Sequence, residues 1–300
     1  MVTLEQLRIF VAVAERRSMT RAAEALHLTQ PAVSAAIAAL EERHATRLFD
    51  RVGRGIVLSD AGRAFLPEAQ GVLARAEAAQ RMLDDLAGLK RGALRIAASQ
   101  TVASDWLPAR MARFAAGHPG IRLPLSVGNT AQALAAVLAG EADLAFVEGP
   151  VDDPHLSAER VGGDRLGLYV APGHSLLGRR IDRVSLRAAG WVLREPGSGT
   201  RAHFAAAMST LGLTVDDLDI RLELPSNGAV LAAVEAGGLV TAASDLAAAP
   251  RLAAGYVARL DHDLPERPFT MVAHRERHRS RAAEVFVAAL SSHAANLSGG

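Results

Sequence analysis

The chain has 300 residues, with 33 basic side chains against 32 acidic ones and a net charge of +1. It therefore cannot hold nucleic acid through bulk positive charge, although a few arginines gathered on one surface can still do so. Half of the residues are apolar and 22% are charged, which supplies a packed core and argues against extended disorder. The lack of cysteine excludes a disulfide scaffold, thiolate metal sites and cysteine catalysis. No run approaches the roughly 18 apolar residues of a membrane span. The first residues, MVTLEQLRIFVAVAERRS, place Glu5 and Arg8 inside the first apolar periodic segment, so they read as part of the mature fold and not as a secretion signal. A cytoplasmic protein with no membrane partner is expected.

Leu7, Phe10, Val11 and Ala14 recur at helical spacing and predict a helix over residues 3–16. Ser18 can cap a second short helix bearing Ala22, Ala23 and Leu26 on one face. After the turn His27-Leu28, Thr29 is an N-cap and Pro31 sits in the first turn of a third helix, where its missing N–H costs little. Val33, Ala36, Ile37 and Leu40 form that helix's inward stripe. Two short helices joined by a tight turn, with another helix packed on them, form a helix-turn-helix pattern. The outward face of the third helix carries Gln30, Pro31, Ser34, Ala35, Ala38 and Glu42. Gln can pair with adenine, Ser can reach a base or phosphate, and Ala methyls can touch thymine methyls in a major groove. Taken alone, this face could equally be a solvated Ala-rich one. The following DRVGRGIVLSDAG tips the balance, because Arg51 and Arg54 flank Gly53 in what reads as a two-stranded wing near the phosphate backbone.

The run AAEALHLTQPAVSAAIAALEERHATRLFDRVGRGIVLSDAG resembles the winged helix-turn-helix signature of LysR-type transcriptional regulators. The resemblance implies an all-α winged helix-turn-helix domain over residues 1–59 that contacts double-stranded DNA through Thr29, Gln30, Pro31, Ser34, Ala35, Arg51 and Arg54. Two positions depart from the family's pattern. Ala45 stands where a glycine is usual, at a left-handed turn that would cost Ala up to about 1 kcal/mol. Ala35 replaces a frequent arginine or lysine.

Residues 60–88 predict one long helix in which Phe65, Val72, Ala79 and Leu86 repeat every seven positions, with Ala69, Ala76 and Leu83 in the complementary position. Such a seam favours pairing with a second copy over packing on its own domain. Leu66 and Leu73 lie beside the seam and can pack elsewhere. The resemblance assigns residues 60–90 to the family's dimerising linker helix and implies a homodimer or homotetramer on a pseudo-palindromic site. RNA polymerase is a further candidate partner.

From residue 93 short apolar strands alternate with helical segments, the pattern of a mostly parallel α/β fold. The strands are ALRIAAS, IRLPLSV, DLAFVE, RLGLYVA, WVLRE, DIRLEL, GLVTAAS and PFTMVAH, with helices at 102–116, 130–139, 200–211, 227–236 and 280–295. The length suits two lobes with crossovers near 162–168 and 262–268. Lobe I would span about 91–164 and 268–300, and lobe II about 165–267. Four strand ends run into small polar residues where a helix begins: Ser99-Gln100-Thr101, Asn129-Thr130, Ser198-Gly199-Thr200 and Ser226-Asn227. Each is an N-cap by itself. Together they lie where ligands bind in open α/β sheets, at helix N-termini suited to anions. Glu148, Arg194 and Arg201 are the nearby charges.

ASQTVASDWLP, VGNTAQALAAVLAGEADLAFVEGPV, REPGSGTR and VEAGGLV also resemble the LysR-type effector domain, whose fold is like that of periplasmic binding proteins. They are most similar to the branch that includes regulators of sulfur assimilation and carbon fixation. The resemblance implies a two-lobed effector-binding domain over residues 91–300. It places Ser99, Gln100, Thr101, Thr130, Glu148, Ser198 and Thr200 against a small effector, an inorganic oxyanion or a carboxylate, and implies no further cofactor. His274 and His278 have HxxxH spacing but lie in the basic run HRERHRSR with no third ligand in view, which reads as a solvated loop and not a metal site. The glycines at 197 and 199 lack the Lys of a phosphate loop, and no GxSxG elbow occurs. With no nucleophile–base set, the protein is expected to be a regulator and not an enzyme. A transport solute-binding protein or, less well supported, an enzyme acting on a small anion are the competing readings.

Overall fold

The computed structural model describes residues 1–52, 55–86 and 92–297 of the chain, which divides into two compact units at Ala87/Gly88. The first unit opens with α1 (Leu4–Arg16), α2 (Met19–Leu26) and α3 (Gln30–Arg43). Their starts are local chemistry. Thr3 Oγ1 accepts from the Gln6 N–H while Gln6 Oε1 accepts from the Thr3 N–H, a reciprocal capping box. Ser18 and Thr29 cap α2 and α3 by a single bond each, accepting the N–H groups of Arg21 and Ala32. Phe10, Val13, Ala22, Val33, Ile37 and Leu40 meet in one core, so the apolar spacing of three helices is satisfied by one another.

Strands β1 (Phe49–Val52) and β2 (Gly55–Leu58) pair antiparallel, with Phe49 opposite Leu58. They form the expected wing, whose tip residues 53–54 lie outside the described residues. The carboxylate of Glu41 accepts from the N–H groups of Leu48 (2.7 Å) and Phe49 (3.1 Å), tying α3 to the first wing strand. Between them Ala45 sits at φ 46°, the left-handed turn read from the sequence. Helix α4 (Asp60–Leu86) follows. A Cβ on Gly62 would stand 2.1 Å from the Leu48 carbonyl oxygen, so only glycine fits this first turn. The heptad seam is split between two kinds of environment. Phe65 packs on Phe10 with centroids 5.0 Å apart, and Ala69 is buried in the unit's own core, joined by Leu66 and Leu73. Val72 and Leu83 remain 48% and 62% exposed. The early turns of α4 therefore belong to the unit's own core, and only the later seam positions stay free for a second copy.

In the second unit, lobe I contains β3 (Gly92–Ala93), β4 (Ile96–Ser99), α5 (Pro108–Gly117), β5 (Ile121–Arg122), β6 (Leu125–Gly128), α6 (Thr130–Ala139) and β7 (Leu144–Val147). Strand β8 (Leu156–Val170) crosses to lobe II, which contains α7 (Arg183–Ala188), β9 (Gly190–Arg194), α8 (Gly199–Thr210), β10 (Asp219–Leu224), α9 (Asn227–Glu235), β11 (Thr241–Ser244), α10 (Asp245–Ala253) and β12 (Ala258–Arg259). Strand β13 (Glu266–His274) returns to lobe I, and α11 (Arg281–Leu297) packs there. Within the lobes β4 pairs parallel with β6 and β7, and β10 with β9. The crossovers depart from the mostly parallel expectation. Strands β8 and β13 pair antiparallel from Glu266↔Arg165 to His274↔Leu156, since one carries the chain out of lobe I and the other brings it back. Their register shifts between Phe269 and Thr270.

Each lobe has its own core. Leu94, Ile96, Phe114, Phe146, Phe269 and Phe286 fill lobe I, and Leu168, Trp191, Phe204, Met208 and Leu213 fill lobe II. The sequence reading missed the first half of β8, α7 and α10. The β8 segment LSAERVGG lacks a continuous apolar signal because its outer residues face solvent. The basic run after β13 is also not merely solvated. Arg275 Nε donates to the Leu156 carbonyl (2.8 Å), and Arg277 donates to the carbonyls of Val137 (2.5 Å) and Leu138 (2.7 Å), capping the end of α6.

Candidate functional site

In the first unit, α3 turns the face singled out in the sequence outward. Val33, Ile37 and Leu40 are buried, while Thr29, Gln30, Pro31 and Ala35 are exposed and Ser34 is half-buried on the opposite face. Gln30 Nε2 donates to Ser34 Oγ (2.7 Å), so each orients the other one turn away along the helix. Thr29 Oγ1 accepts from the Ala32 N–H, which makes it the N-cap, and the Val33 N–H donates to the Thr29 carbonyl (3.1 Å). Arg51 is exposed on β1, and Arg54 lies outside the described residues.

In the second unit the four polar strand ends converge. Gln100, at the end of β4 in lobe I, donates from Nε2 to the Pro225 carbonyl (2.7 Å) and accepts the Asn227 N–H (3.0 Å) in lobe II. Asn227 Nδ2 donates to Thr101 Oγ1 (2.9 Å). Farther along the cleft the Ala131 N–H donates to the Gly197 carbonyl (3.2 Å), bringing the starts of α6 and α8 together. A Cβ on Gly199 would lie 2.6 Å from the Gly149 nitrogen and 2.7 Å from Thr130 Oγ1, so glycine is required for this approach. Ser198 and Ser226 do cap α8 and α9, as their positions suggested.

Arg267, at the start of β13, organises this cluster and was not among the expected site residues. Its side chain is fully buried. Nε and Nη2 donate to the Asp164 carboxylate (2.5 and 2.8 Å), Nη1 donates to Thr200 Oγ1 (3.0 Å), and Nη2 also reaches Thr101 Oγ1 (3.3 Å). Glu148 Oε1 lies 3.6 Å from Nη1, and the other Glu148 oxygen is hydrogen-bonded by Ser99 Oγ. Thr101, Glu148 and Thr200 thus meet one guanidinium shared by two carboxylates, and Ser99 holds the Glu148 carboxylate. Burial raises the Glu148 carboxyl above its ordinary range, outweighing the opposite pull of Arg267. His203 on α8, also missed, is pulled below the usual imidazole value by burial, against the lift from its hydrogen bond to the Glu148 backbone.

Arg194 and Arg201, the cations suggested by the sequence, are committed elsewhere. Arg194 pairs with Glu195 (2.8 Å) and Asn227 (2.5 Å), and Arg201 with Glu223 and the Arg194 carbonyl (2.8 Å). Both flank the loop between β9 and α8, and Arg201 also lines a cavity there, whereas the fully buried cation of the cluster is Arg267 from the returning crossover strand. Thr130 stands apart from the rest. It is 5% exposed, and its Oγ1 has no hydrogen-bond partner among the described residues. A cavity of about 500 Å³ opens beside it, lined by Thr130, Leu134, Pro196, Ser198, Arg201 and Ala202 among others. Among the described residues no group of three His, Asp or Glu is placed to hold a metal, and no helix is long and apolar enough to cross a membrane.

Comparison with known proteins accounts for both units. Residues 4–63 match the bacterial regulatory helix-turn-helix protein, lysR family, and residues 87–295 match the LysR substrate binding domain. The uncharacterized HTH-type transcriptional regulator YeiE of Escherichia coli is 34% identical over 289 residues, covering 95% of this chain and 96% of that protein. The HTH-type transcriptional regulator CbbR of Rhodospirillum rubrum is 33% identical, covering 96% of each. The RuBisCO operon transcriptional regulator of Allochromatium vinosum is 36% identical over 79% of this chain and 77% of its own. Among solved structures, full-length CbnR complexed with its target DNA superposes with a TM-score of 0.69 at 24% identity, covering 97% of this chain and 99% of that one. The relatives are regulators and not transport proteins or enzymes. With a winged helix-turn-helix ahead of a two-lobed α/β domain, and both domain models matched, the chain belongs to the LysR family of bacterial helix-turn-helix transcriptional regulators.

Proposed function

We propose that this regulator is controlled by a small anion, an inorganic oxyanion or a carboxylate, bound between the lobes of its second unit. The observation that carries the reading is Thr130 Oγ1, a buried hydroxyl without a hydrogen-bond partner among the described residues. It lies where the N-termini of α6 and α8 meet, at the edge of a ligand-sized cavity. A buried polar atom left unpaired costs about 1–3 kcal/mol, and an acceptor-rich ligand removes that cost. The N-termini of α6 and α8 favour negative charge there, and Arg201 lines the same cavity. The regulator reads its operator through α3 and the wing, as a homodimer or homotetramer built on the exposed part of the α4 seam. It acts in the cytoplasm, where its DNA is, with RNA polymerase as a further partner.

Thermal shift of the full-length protein with phosphate, sulfate, sulfite and small carboxylates tests this. At a hundredfold excess over Kd an anion should add about 2.7 kcal/mol, a rise of roughly 5–10 °C for a domain of this size. Thr130→Val keeps the shape and removes an unpaired hydroxyl. It should leave the ligand-free melting temperature unchanged or higher and remove most of the anion-induced rise. Stabilisation only by cations or apolar compounds overturns the reading.

A further inference from the structure

We infer that the effector is a monocarboxylate with an apolar body, aliphatic or aromatic, and not an inorganic oxyanion or a dicarboxylate. This rests on the reading of the cavity beside Thr130 as an anion site. The cavity lies between α6 of lobe I and α8 of lobe II, and its lining residues repeat at helical spacing. Thr130 and Leu134 stand one turn apart on α6, and Gly199, Ala202 and Ala205 follow at intervals of three on α8. With a rise of about 1.5 Å per residue, the lining runs about 6 Å along α6 and about 9 Å along α8. The space is therefore a trough that starts at the two helix N-termini and continues along their sides. Val215 and Asp216 line its far end. They precede β10, whose first residue, Asp219, pairs with Gly190 at the start of β9, whereas the loop into α8 leaves β9 at Arg194. Val215 and Asp216 thus come from the opposite end of β9 to the α8 N-terminus.

The two ends differ in chemistry. At the near end the Thr130 hydroxyl, unpaired among the described residues, meets the start of α8, where the first N–H groups have no carbonyl within the helix to bond. That end suits the oxygens of a carboxylate. Along the trough the half-buried walls are Leu134, Ala202, Ala205 and Val215, whose side chains offer no donor or acceptor. A cavity of about 500 Å³ holds far more than one small oxyanion, since a water molecule takes only about 30 Å³. An inorganic oxyanion would use the near end and leave the apolar walls wet. An organic acid uses both, because its apolar body removes those walls from water. Asp216 decides between one carboxylate and two. It is exposed, and its carboxylate enters no ion pair or hydrogen bond among the described residues, so a negative charge stands open at the far end. A second carboxylate brought there meets a like charge. Arg201, which also lines the cavity, does not neutralise it, because its guanidinium pairs with Glu223 and the Arg194 carbonyl.

Calorimetric titration of the full-length protein at low, constant ionic strength tests the proposal, with acetate, butyrate, hexanoate and benzoate set against sulfate, phosphate and adipate. Affinity should rise by about two- to fourfold per methylene from acetate to hexanoate. Benzoate should bind about tenfold or more tightly than acetate or sulfate, and adipate more weakly than hexanoate. Ala205→Leu fills the trough beyond its near end. It should cut hexanoate and benzoate binding by about tenfold and leave acetate within about twofold. Asp216→Asn should raise adipate affinity by about threefold, a gain kept small by screening at an exposed position, and leave hexanoate unchanged. If Ala205→Leu does not fold, the wild-type chain-length series decides. Affinity that does not grow with chain length, sulfate or phosphate bound above every organic acid, an Ala205→Leu variant that still takes hexanoate, or adipate binding unmoved by Asp216→Asn overturns the proposal and leaves the anion reading standing. Hexanamide bound as tightly as hexanoate, or failure of every anion to bind, removes both.

Discussion

Replacing Arg267 with Met removes the one charge that two buried carboxylates share while keeping most of the side chain's volume. The Asp164 side chain is 3% exposed and Glu148 2%, and Arg267 is the partner in each ion pair. Breaking a buried pair by removing one member costs about 3–5 kcal/mol, because the other is left uncompensated in a low-dielectric site. For a domain of about 200 residues each kcal/mol lowers the melting temperature by roughly 2–4 °C, so a fall of about 6–20 °C is expected. Both tryptophans, Trp106 and Trp191, lie in the lobe cores of the second unit. Urea unfolding followed by their fluorescence therefore reports on that unit alone. The double variant Arg267→Met/Asp164→Asn removes the charge pair together, and its loss should be at least about 2 kcal/mol smaller than the sum of the single losses. A cost below about 1 kcal/mol for Arg267→Met, the level of an exposed ion pair, or additive losses in the cycle, would refute the view that this guanidinium holds the cleft together.

Four further outcomes follow from the structure. Ala45→Gly should raise the stability of the first unit by up to about 1 kcal/mol, since left-handed backbone penalises a Cβ and glycine's entropy offsets only part of the gain; circular-dichroism melting checks this, and a lower melting temperature contradicts it. Leu83→Asp places a charge on the exposed part of α4 and should shift full-length protein toward monomer in sedimentation velocity, whereas an unchanged distribution rules out the seam as the pairing surface. Gln30→Ala should relax base preference at one operator position, while Arg51→Ala should weaken all sequences and reduce the salt slope by about one; mobility-shift titrations at several salt concentrations separate the two, and unchanged binding in both variants removes α3 and the wing from the interface. The raised carboxyl of Glu148 adds stability that is complete below its unfolded value and is lost as pH rises through its folded one. Stability should therefore fall over that window, and Glu148→Gln should flatten the slope.

The local chemistry of this protein was readable from short stretches of sequence. Thr29, Ser18 and Pro31 mark helix starts because a hydroxyl or a missing N–H acts within one turn, and Val33, Ile37 and Leu40 mark a buried face because helical spacing brings them together. Ser99, Gln100, Thr101, Ser198 and Thr200 stood out because polar residues at strand ends coincide with helix starts. Arg267 gave no such sign. It meets Thr200, Asp164 and Thr101 across 67, 103 and 166 residues, and the one clue was an arginine at the edge of the expected 262–268 crossover. Likewise, the seven-residue repeat of α4 shows an apolar seam but not which surface covers each position.

Caps, turns and helix faces follow from contacts within a few residues, so the helix-turn-helix, the wing and the alternating strands and helices could be read from the chain directly, and the resemblance to a regulator with them. Which cation is buried with the two carboxylates, which seam residues stay exposed and which hydroxyl is left unpaired depend on where distant segments meet. Those meetings arise when β8 and β13 carry the chain between lobes. Burial then determines the energetics: Arg194 and Arg201 are paired with neighbours, Arg267 is drawn between two carboxylates, and Thr130 is enclosed by Gly149 and Gly199 with its hydroxyl unpaired among the described residues.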